Sequence, residues 1–150
     1  EGYGTHFADG AYQRIELSEN GLDCRIVPAS DPVGEGTYSA AEFMPALIRD
    51  GEKLENQDWT GEQPRACFGA GDQGIYMLVI EGRYPDEGIR GTSVNTCADI
   101  LLAYGCRNAI NMDGGSSAIL WYDGESVTQS SSVTLRYTGG RPLPNAWVYG

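Results

Sequence analysis

The apolar residues of this chain come in short runs cut by glycine turns, and one stretch alone has the spacing of a long helix. There are 21 glycines in 150 residues, about twice the usual ~7%. Asn20-Gly21, Asp50-Gly51, Gly71-Asp72-Gln73-Gly74 and Asp123-Gly124 each lie between strand-like segments, the arrangement of tight hairpins. From Gly91 to Gly105 the pattern changes. Thr92 or Ser93 can cap a helix, Val94, Cys97, Leu101 and Tyr104 form an apolar stripe, and Gly105 suits the C-terminal end. These features predict an α+β fold: a mixed, largely antiparallel sheet with one principal helix packed on it. The length suits a single domain over residues 1–150 and leaves no room for a propeller.

Residues 11–17 and 22–27 alternate polar and apolar around Asn20-Gly21, which predicts a β-hairpin. Residues 41–54 hold a short strand ended by the Asp50-Gly51 turn, and Pro64 to Gly69 begins another. Ile75 to Ile80 is apolar throughout, as in a central strand covered on both faces. His6 sits in loop-like sequence and reads as structural. Trp59, in a polar loop, suits either stacking on a sugar ring or plugging the core edge. Residues 84–90 read as a loop placed to lid the site, Val133 to Tyr137 as strand-like, and residues 139–149 close the chain.

The net charge of −11 opposes binding to nucleic acid and to anionic lipid surfaces. It also opposes any anionic substrate, so a site for one must gather its few arginines locally. No run of about 18 apolar residues suggests a membrane span, and the first residues do not resemble a signal peptide. The cysteines at 24, 67, 97 and 106 lack the close spacing of a zinc site. Cys67, Cys97 and Cys106 read as buried thiols.

Chemistry concentrates in Ala109-Ile110-Asn111-Met112-Asp113-Gly114-Gly115-Ser116-Ser117-Ala118. An apolar strand delivers an amide and a carboxylate at alternate positions, which in extended chain face the same side. The glycines let bare backbone approach a ligand, and successive N–H groups there could converge on an anion. The plain alternative is an Asp-Gly hairpin turn. Arg65 and Arg83 bracket the hairpin made by the preceding two runs, whose ends lie together in antiparallel pairing. Two guanidinium groups there suit bidentate phosphate recognition; surface salt bridges are the bland alternative.

Asn111-Met112-Asp113-Gly114-Gly115-Ser116-Ser117 resembles the Asn-Leu-Asp-Gly-Gly-Gly-Ser-Ser signature of the phosphodiester glycosidase family, with Ser116 in place of a glycine and Ala118 in place of a serine. Pro64-Arg65 and Gly69 are similar to the family's Pro-Arg-Thr-Ala-Ile-Gly. Glu81-Gly82-Arg83 resembles its Asp-Gly-Arg, and Phe43-Met44-Pro45 its Phe-Gly-Pro. Arg141 resembles the family's late arginine. The resemblance spans roughly residues 38–149, the C-terminal portion of such a domain. A second polypeptide supplying an N-terminal part is therefore one expected partner, and a divergent short member is the other reading.

The resemblance implies hydrolysis of a sugar-1-phosphodiester at the glycosidic bond, releasing a sugar such as N-acetylglucosamine and a phosphomonoester. Asp113 is then the general base or oxocarbenium stabiliser, with Glu81 as second carboxylate. Asn111 holds sugar hydroxyls or orients Asp113. Arg65, Arg83 and Arg141 with Gly114, Gly115 and Ser116 bind phosphate, and Ser117 donates a hydrogen bond. No cofactor is implied, though a divalent cation on Asp113 and Glu81 is left open. A carbohydrate phosphodiester is the expected substrate, and a secreted or cell-surface location follows from the resemblance. The rival class is a non-catalytic carbohydrate-binding or structural module.

Overall fold

The computed structural model describes residues 12–56, 61–131, 141–143 and 146–149. The expectations placed on His6, Trp59 and the strand at 133–137 lie outside the described residues. The fold is α+β, as the sequence predicts, with every strand pair antiparallel among the described residues.

The chain begins with the predicted hairpin, β1 (Gln13–Leu17) and β2 (Cys24–Pro28). Asn20 shapes its loop: the side-chain oxygen accepts from the backbone N–H of Leu22 at 2.8 Å and of Asp23 at 3.2 Å. β3 (Ser39–Phe43) pairs with the other edge of β1, giving a three-stranded sheet in the order β2-β1-β3. At Met44-Pro45 the chain leaves this sheet for a second one, through β4 (Ala46–Arg49), the Asp50-Gly51 turn and β5 (Glu52–Lys53). β6 (Arg65–Gly71) and β7 (Gly74–Ile80) form the next hairpin. Helix α1 (Val94–Ala103) follows, and β8 (Cys106–Asn111) returns into the sheet, whose order is β5-β4-β8-β6-β7. β9 (Trp121–Tyr122) and β10 (Glu125–Ser126) make a small separate hairpin.

The five-stranded sheet is covered on both faces. On one side α1 packs Val94, Cys97, Ala98 and Leu101 against Leu47, Ile48, Cys67 and Ala109. Burying Leu101 alone contributes about 2 kcal/mol. On the other side Ile15, Leu17 and Ile26 of the three-stranded sheet meet Ala46, Phe68 and Ile110. Successive residues of β8 thus face different cores, which is why Asn108 to Asn111 are all buried although the sequence is not uniformly apolar.

Ser93 caps α1 by accepting the N–H of Thr96 at 3.0 Å. Tyr104 departs from the predicted stripe: it is the C-terminal cap and stands exposed, beyond the packed turns. Ile75 to Ile80 is not central either. β7 lies at the sheet edge with each residue half-buried, while its neighbour β6 is the covered strand. An apolar run reports burial of side chains but not position in a sheet. The described terminal residues 146–149 form no strand; Trp147 instead stacks on Phe68, ring centroids 3.8 Å apart and 4° from parallel.

The polar residues of β1 are buried by the loop after β2. Glu16 receives Arg14 Nε at 2.7 Å, Arg25 Nη2 at 2.6 Å and the Thr37 hydroxyl at 3.1 Å. Arg14 also donates to the carbonyls of Ala29 and Asp31. Burial raises the Glu16 carboxyl, but the hydrogen bonds from Arg14, Arg25, Thr37 and Gly34 outweigh it and leave the pKa below its ordinary value.

Candidate active site

β8 ends at Asn111 beside the start of β6, and the chain beyond is strapped there by backbone bonds. Met112 N–H reaches the Ala66 carbonyl at 2.8 Å and Gly115 N–H the Pro64 carbonyl at 2.9 Å. The straps hold the Asn111–Ser117 loop as one wall of a cleft of about 610 Å³. The cleft also takes in Tyr12, Phe43-Met44-Pro45, Gln63-Pro64-Arg65, Arg83 and Arg141. Of the predicted site residues, Asn111, Asp113, Gly114, Gly115, Ser116, Arg65, Arg83 and Arg141 line it together.

Asp113 is half-exposed and sits in a charged cluster. The Ser117 hydroxyl, itself buried in a single turn of 3-10 helix, donates to Asp113 Oδ2 at 2.7 Å. Arg141 forms an ion pair with the same oxygen and donates from Nε to Ser117 Oγ at 2.7 Å. Its contact with both residues gives Arg141 a more direct place in the site than its sequence position suggested.

The two glycines act differently. At Gly114 a Cβ would lie 2.6 Å from the Pro64 carbonyl oxygen, so only glycine lets the loop lie this close to β6. Gly115 has φ +57, and a Cβ there would come 3.0 Å from both terminal nitrogens of Arg83. The Arg83 guanidinium therefore covers the bare face of Gly115. Because the N–H of Gly115 is bonded to the Pro64 carbonyl and that of Ser117 to the Gly114 carbonyl, these two do not join a nest of converging donors. The glycine signal reports close approach more than anion binding by backbone.

Arg83 is itself at φ +68, a region rarely adopted by a residue with a side chain. Its Nε donates to Gln63 Oε1 at 2.9 Å, and among the described residues its terminal nitrogens donate to no other group. They are available in the cleft. Arg65 pairs with Ile80 across the β6–β7 ladder, so the hairpin ends do lie together. Its guanidinium is buried and donates to the carbonyls of Thr92 at 3.0 Å and Gly61 at 2.7 Å. These bonds make Arg65 a strut for the cleft wall as well as a lining residue.

Glu81 does not line the cleft; its carboxylate accepts the backbone N–H of Gln129. The structure therefore separates the two carboxylates that the sequence reading paired, because the residue after β7 turns its side chain toward the 129–131 segment. Among the described residues no three His, Cys, Asp or Glu side chains gather as a metal site. The Tyr84–Arg90 loop contains a turn of 3-10 helix and is tied by the Tyr84 hydroxyl to the Ser130 carbonyl at 2.6 Å. Beyond Arg83 it contributes nothing to the lining.

Asn111 is 5% exposed. Its N–H reaches the Pro45 carbonyl at 3.0 Å and its Nδ2 the Met44 carbonyl at 2.7 Å. Among the described residues, its Oδ1 has no hydrogen-bond partner. Tyr12 and the Phe43–Pro45 segment were not singled out as site residues in the sequence. Phe43-Met44-Pro45 carried a signal as a family-like segment, whereas Tyr12 carried none; its ring packs edge to face on Phe43, with centroids 6.0 Å apart.

The three cysteines predicted to be buried are so, and none of the four is in a disulfide. Among the described residues no helix is long and apolar enough to cross a membrane.

The family model described as phosphodiester glycosidase matches residues 5–149, reaching upstream of the stretch marked by the quoted motifs. Among solved structures, the fold is similar to the zebrafish N-acetylglucosamine-1-phosphodiester alpha-N-acetylglucosaminidase catalytic domain auto-inhibited by pro-peptide. The TM-score is 0.57 at 16% identity, covering 81% of this chain and 45% of that one. A hypothetical protein from Synechocystis matches with TM-score 0.50 at 19% identity, covering 80% of this chain and 31% of that one. At such identities the likeness is one of fold, and this chain spans less than half the length of either structure. No curated protein matches.

Proposed function

This chain belongs to the phosphodiester glycosidase family, and from that premise we propose that it hydrolyses a sugar-1-phosphodiester at the glycosidic bond. The observation that carries the reading is one cleft holding the Asp113 carboxylate with Arg83 and Arg141. Water attacks the anomeric carbon, and the bond from that carbon to the phosphate oxygen breaks with its electron pair leaving on the phosphate. Asp113 takes the proton from water or stabilises positive charge at the anomeric carbon. A phosphomonoester, with a second pKa near ~6, needs little protonation to leave. What it needs is a cation, which the terminal nitrogens of Arg83 supply, with Arg141 beside Asp113 and Arg65 holding the wall. Ser117 fixes the orientation of the Asp113 carboxylate. Glu81 has no assigned step, since it faces Gln129.

The test is an assay with the methyl phosphodiester of N-acetylglucosamine 1-phosphate. Asp113→Asn is expected to lower kcat by about 10²–10⁴; full retained rate overturns the role given to Asp113. The second reading is a carbohydrate-binding or structural module, or one half of a two-part site. Saturable glycan binding without turnover identifies the former, and activity restored by a second polypeptide the latter.

A further inference from the structure

Strand β7 forms one margin of the five-stranded sheet, and only its inner side is paired, with β6. The parity of the ladder says which groups face out. Met112 N–H bonds to the Ala66 carbonyl, so the even-numbered residues of β6 point toward β8 and the odd-numbered ones toward β7. Across the hairpin, Arg65, Cys67, Gly69 and Gly71 meet Ile80, Leu78, Tyr76 and Gly74. The backbone N–H and C=O groups of Ile75, Met77 and Val79 therefore point away from the sheet. Among the described residues none of them has a hydrogen-bond partner.

Such an edge is a template for another strand. Among the described strands, the other margins of the two larger sheets are blunted against pairing. β5 is two residues long and both are charged, Glu52 and Lys53. β2 carries Arg25 and ends in Pro28, and β3 carries Glu42. β7 has seven residues with no charge, no proline and no break in its register. Its side chains also close both cores only in part. Ile75 and Met77 pack on the core shared with the three-stranded sheet, and Tyr76, Leu78 and Ile80 on the core under α1, all of them half-buried. A strand added here has apolar neighbours on both faces.

At a net charge of −11, a second copy of the chain is repelled unless the approach keeps acids apart. β7 meets that condition with itself. Antiparallel pairing about a two-fold axis at Met77 sets Met77 against Met77, Ile75 against Val79 and Tyr76 against Leu78 of the other copy. The outward groups of Ile75, Met77 and Val79 then bond in register. The flanking acids Asp72 and Glu81 fall opposite Gly82 and Gln73, not opposite each other. We propose that β7 is a self-complementary interface through which two copies join their five-stranded sheets into one. The same edge is consumed in both copies, so the assembly closes at two. Each β7 runs on into Arg83, which puts the two clefts at opposite ends of the paired strands. The interface stands apart from the glycosidase reading.

The experiment is sedimentation equilibrium of the full chain across micromolar concentrations, with amide hydrogen exchange followed by NMR. The native chain is expected to equilibrate between monomer and dimer, with exchange at Ile75, Met77 and Val79 slowing as the dimer forms. Met77→Lys and Met77→Glu each set like charges directly across the axis and are expected to weaken dimerisation about tenfold. Mixed in equal amounts, the two variants are expected to recover a dimer, because opposite charges then face each other. A native chain that stays monomeric overturns the proposal, as does assembly beyond two copies, a dimer that neither charge weakens, or a mixture that recovers nothing. If the variants do not fold, the native chain alone decides: a dimer with unchanged exchange at those three amides overturns the proposal as well.

Discussion

Alanine at Gly114 and alanine at Gly115 separate packing from anion recognition. At Gly115 the nearest atoms to the new methyl belong to the Arg83 guanidinium, its terminal nitrogens 3.0 Å and its Cζ 3.2 Å away, at the far end of a flexible and exposed side chain. Placing a non-glycine residue at φ +57 costs about 1 kcal/mol of stability. The guanidinium must also retreat by about 0.5 Å to restore van der Waals contact. For a phosphate charge ~4 Å away at an effective dielectric of ~20, that retreat removes about 0.5 kcal/mol of attraction. Misalignment of a charge-assisted hydrogen bond removes roughly 1 kcal/mol more. Together they lower kcat/KM about tenfold.

At Gly114 the methyl meets the Pro64 carbonyl oxygen at 2.6 Å, a backbone atom that also accepts the Gly115 N–H. Nothing there can swing aside, so the loop must lift from β6 at a cost of about 2–4 kcal/mol. The assay is kcat/KM on the methyl phosphodiester of N-acetylglucosamine 1-phosphate, with urea unfolding of each variant. Gly115→Ala with unchanged kcat/KM would refute the placing of phosphate at Arg83, and Gly114→Ala with native stability would refute the packing argument.

Two further perturbations test the frame. Glu16 has a lowered folded pKa, so its contribution is fully present above its unfolded value near ~4.5 and is lost as pH falls through the folded value. Stability measured by urea unfolding is expected to fall from about pH 4.5 downward; Glu16→Gln, which leaves buried Arg14 with the longer ion pair to Glu42 at 3.4 Å, removes about 3 kcal/mol at neutral pH and flattens this acid limb. An acid limb of equal steepness in the variant would contradict the assignment. Burial pushes the Cys24 thiol up to about 12 and the Cys106 thiol up to about 11. At pH 8 both stay protonated, so a thiol-specific alkylating reagent is expected to leave the folded protein unmodified and to label it after denaturation; rapid labelling of either in the native state refutes this environment.

The sequence made the local elements legible where chemistry is local. The Asn20-Gly21 and Asp123-Gly124 turns, the Ser93 cap and the Asp113–Ser117 loop appear where glycine, side-chain oxygen and spacing indicate. Layering was not legible, because it depends on partners distant in sequence. Ile75 to Ile80 reads as central yet lies at an edge, and the alternating Arg14 and Glu16 are buried by the loop after β2 rather than left in solvent. The same reason governs the site. Asp113 and Arg83 were found from their own motifs, whereas the separation of Glu81 from Asp113 turns on which way one side chain points after β7. The unpartnered Asn111 oxygen emerges only when Met44 and Pro45 arrive from another sheet to occupy its amide nitrogen and backbone N–H.

The central claim is that the bond broken lies between the anomeric carbon and oxygen, with the arginines holding the departing phosphate. Hydrolysis of the methyl phosphodiester of N-acetylglucosamine 1-phosphate in oxygen-18 water tests it most directly, with both products analysed by mass spectrometry before the sugar exchanges its anomeric oxygen. Heavy oxygen in the released sugar and none in methyl phosphate is the predicted result. Heavy oxygen in the phosphate product would show attack at phosphorus and contradict the account.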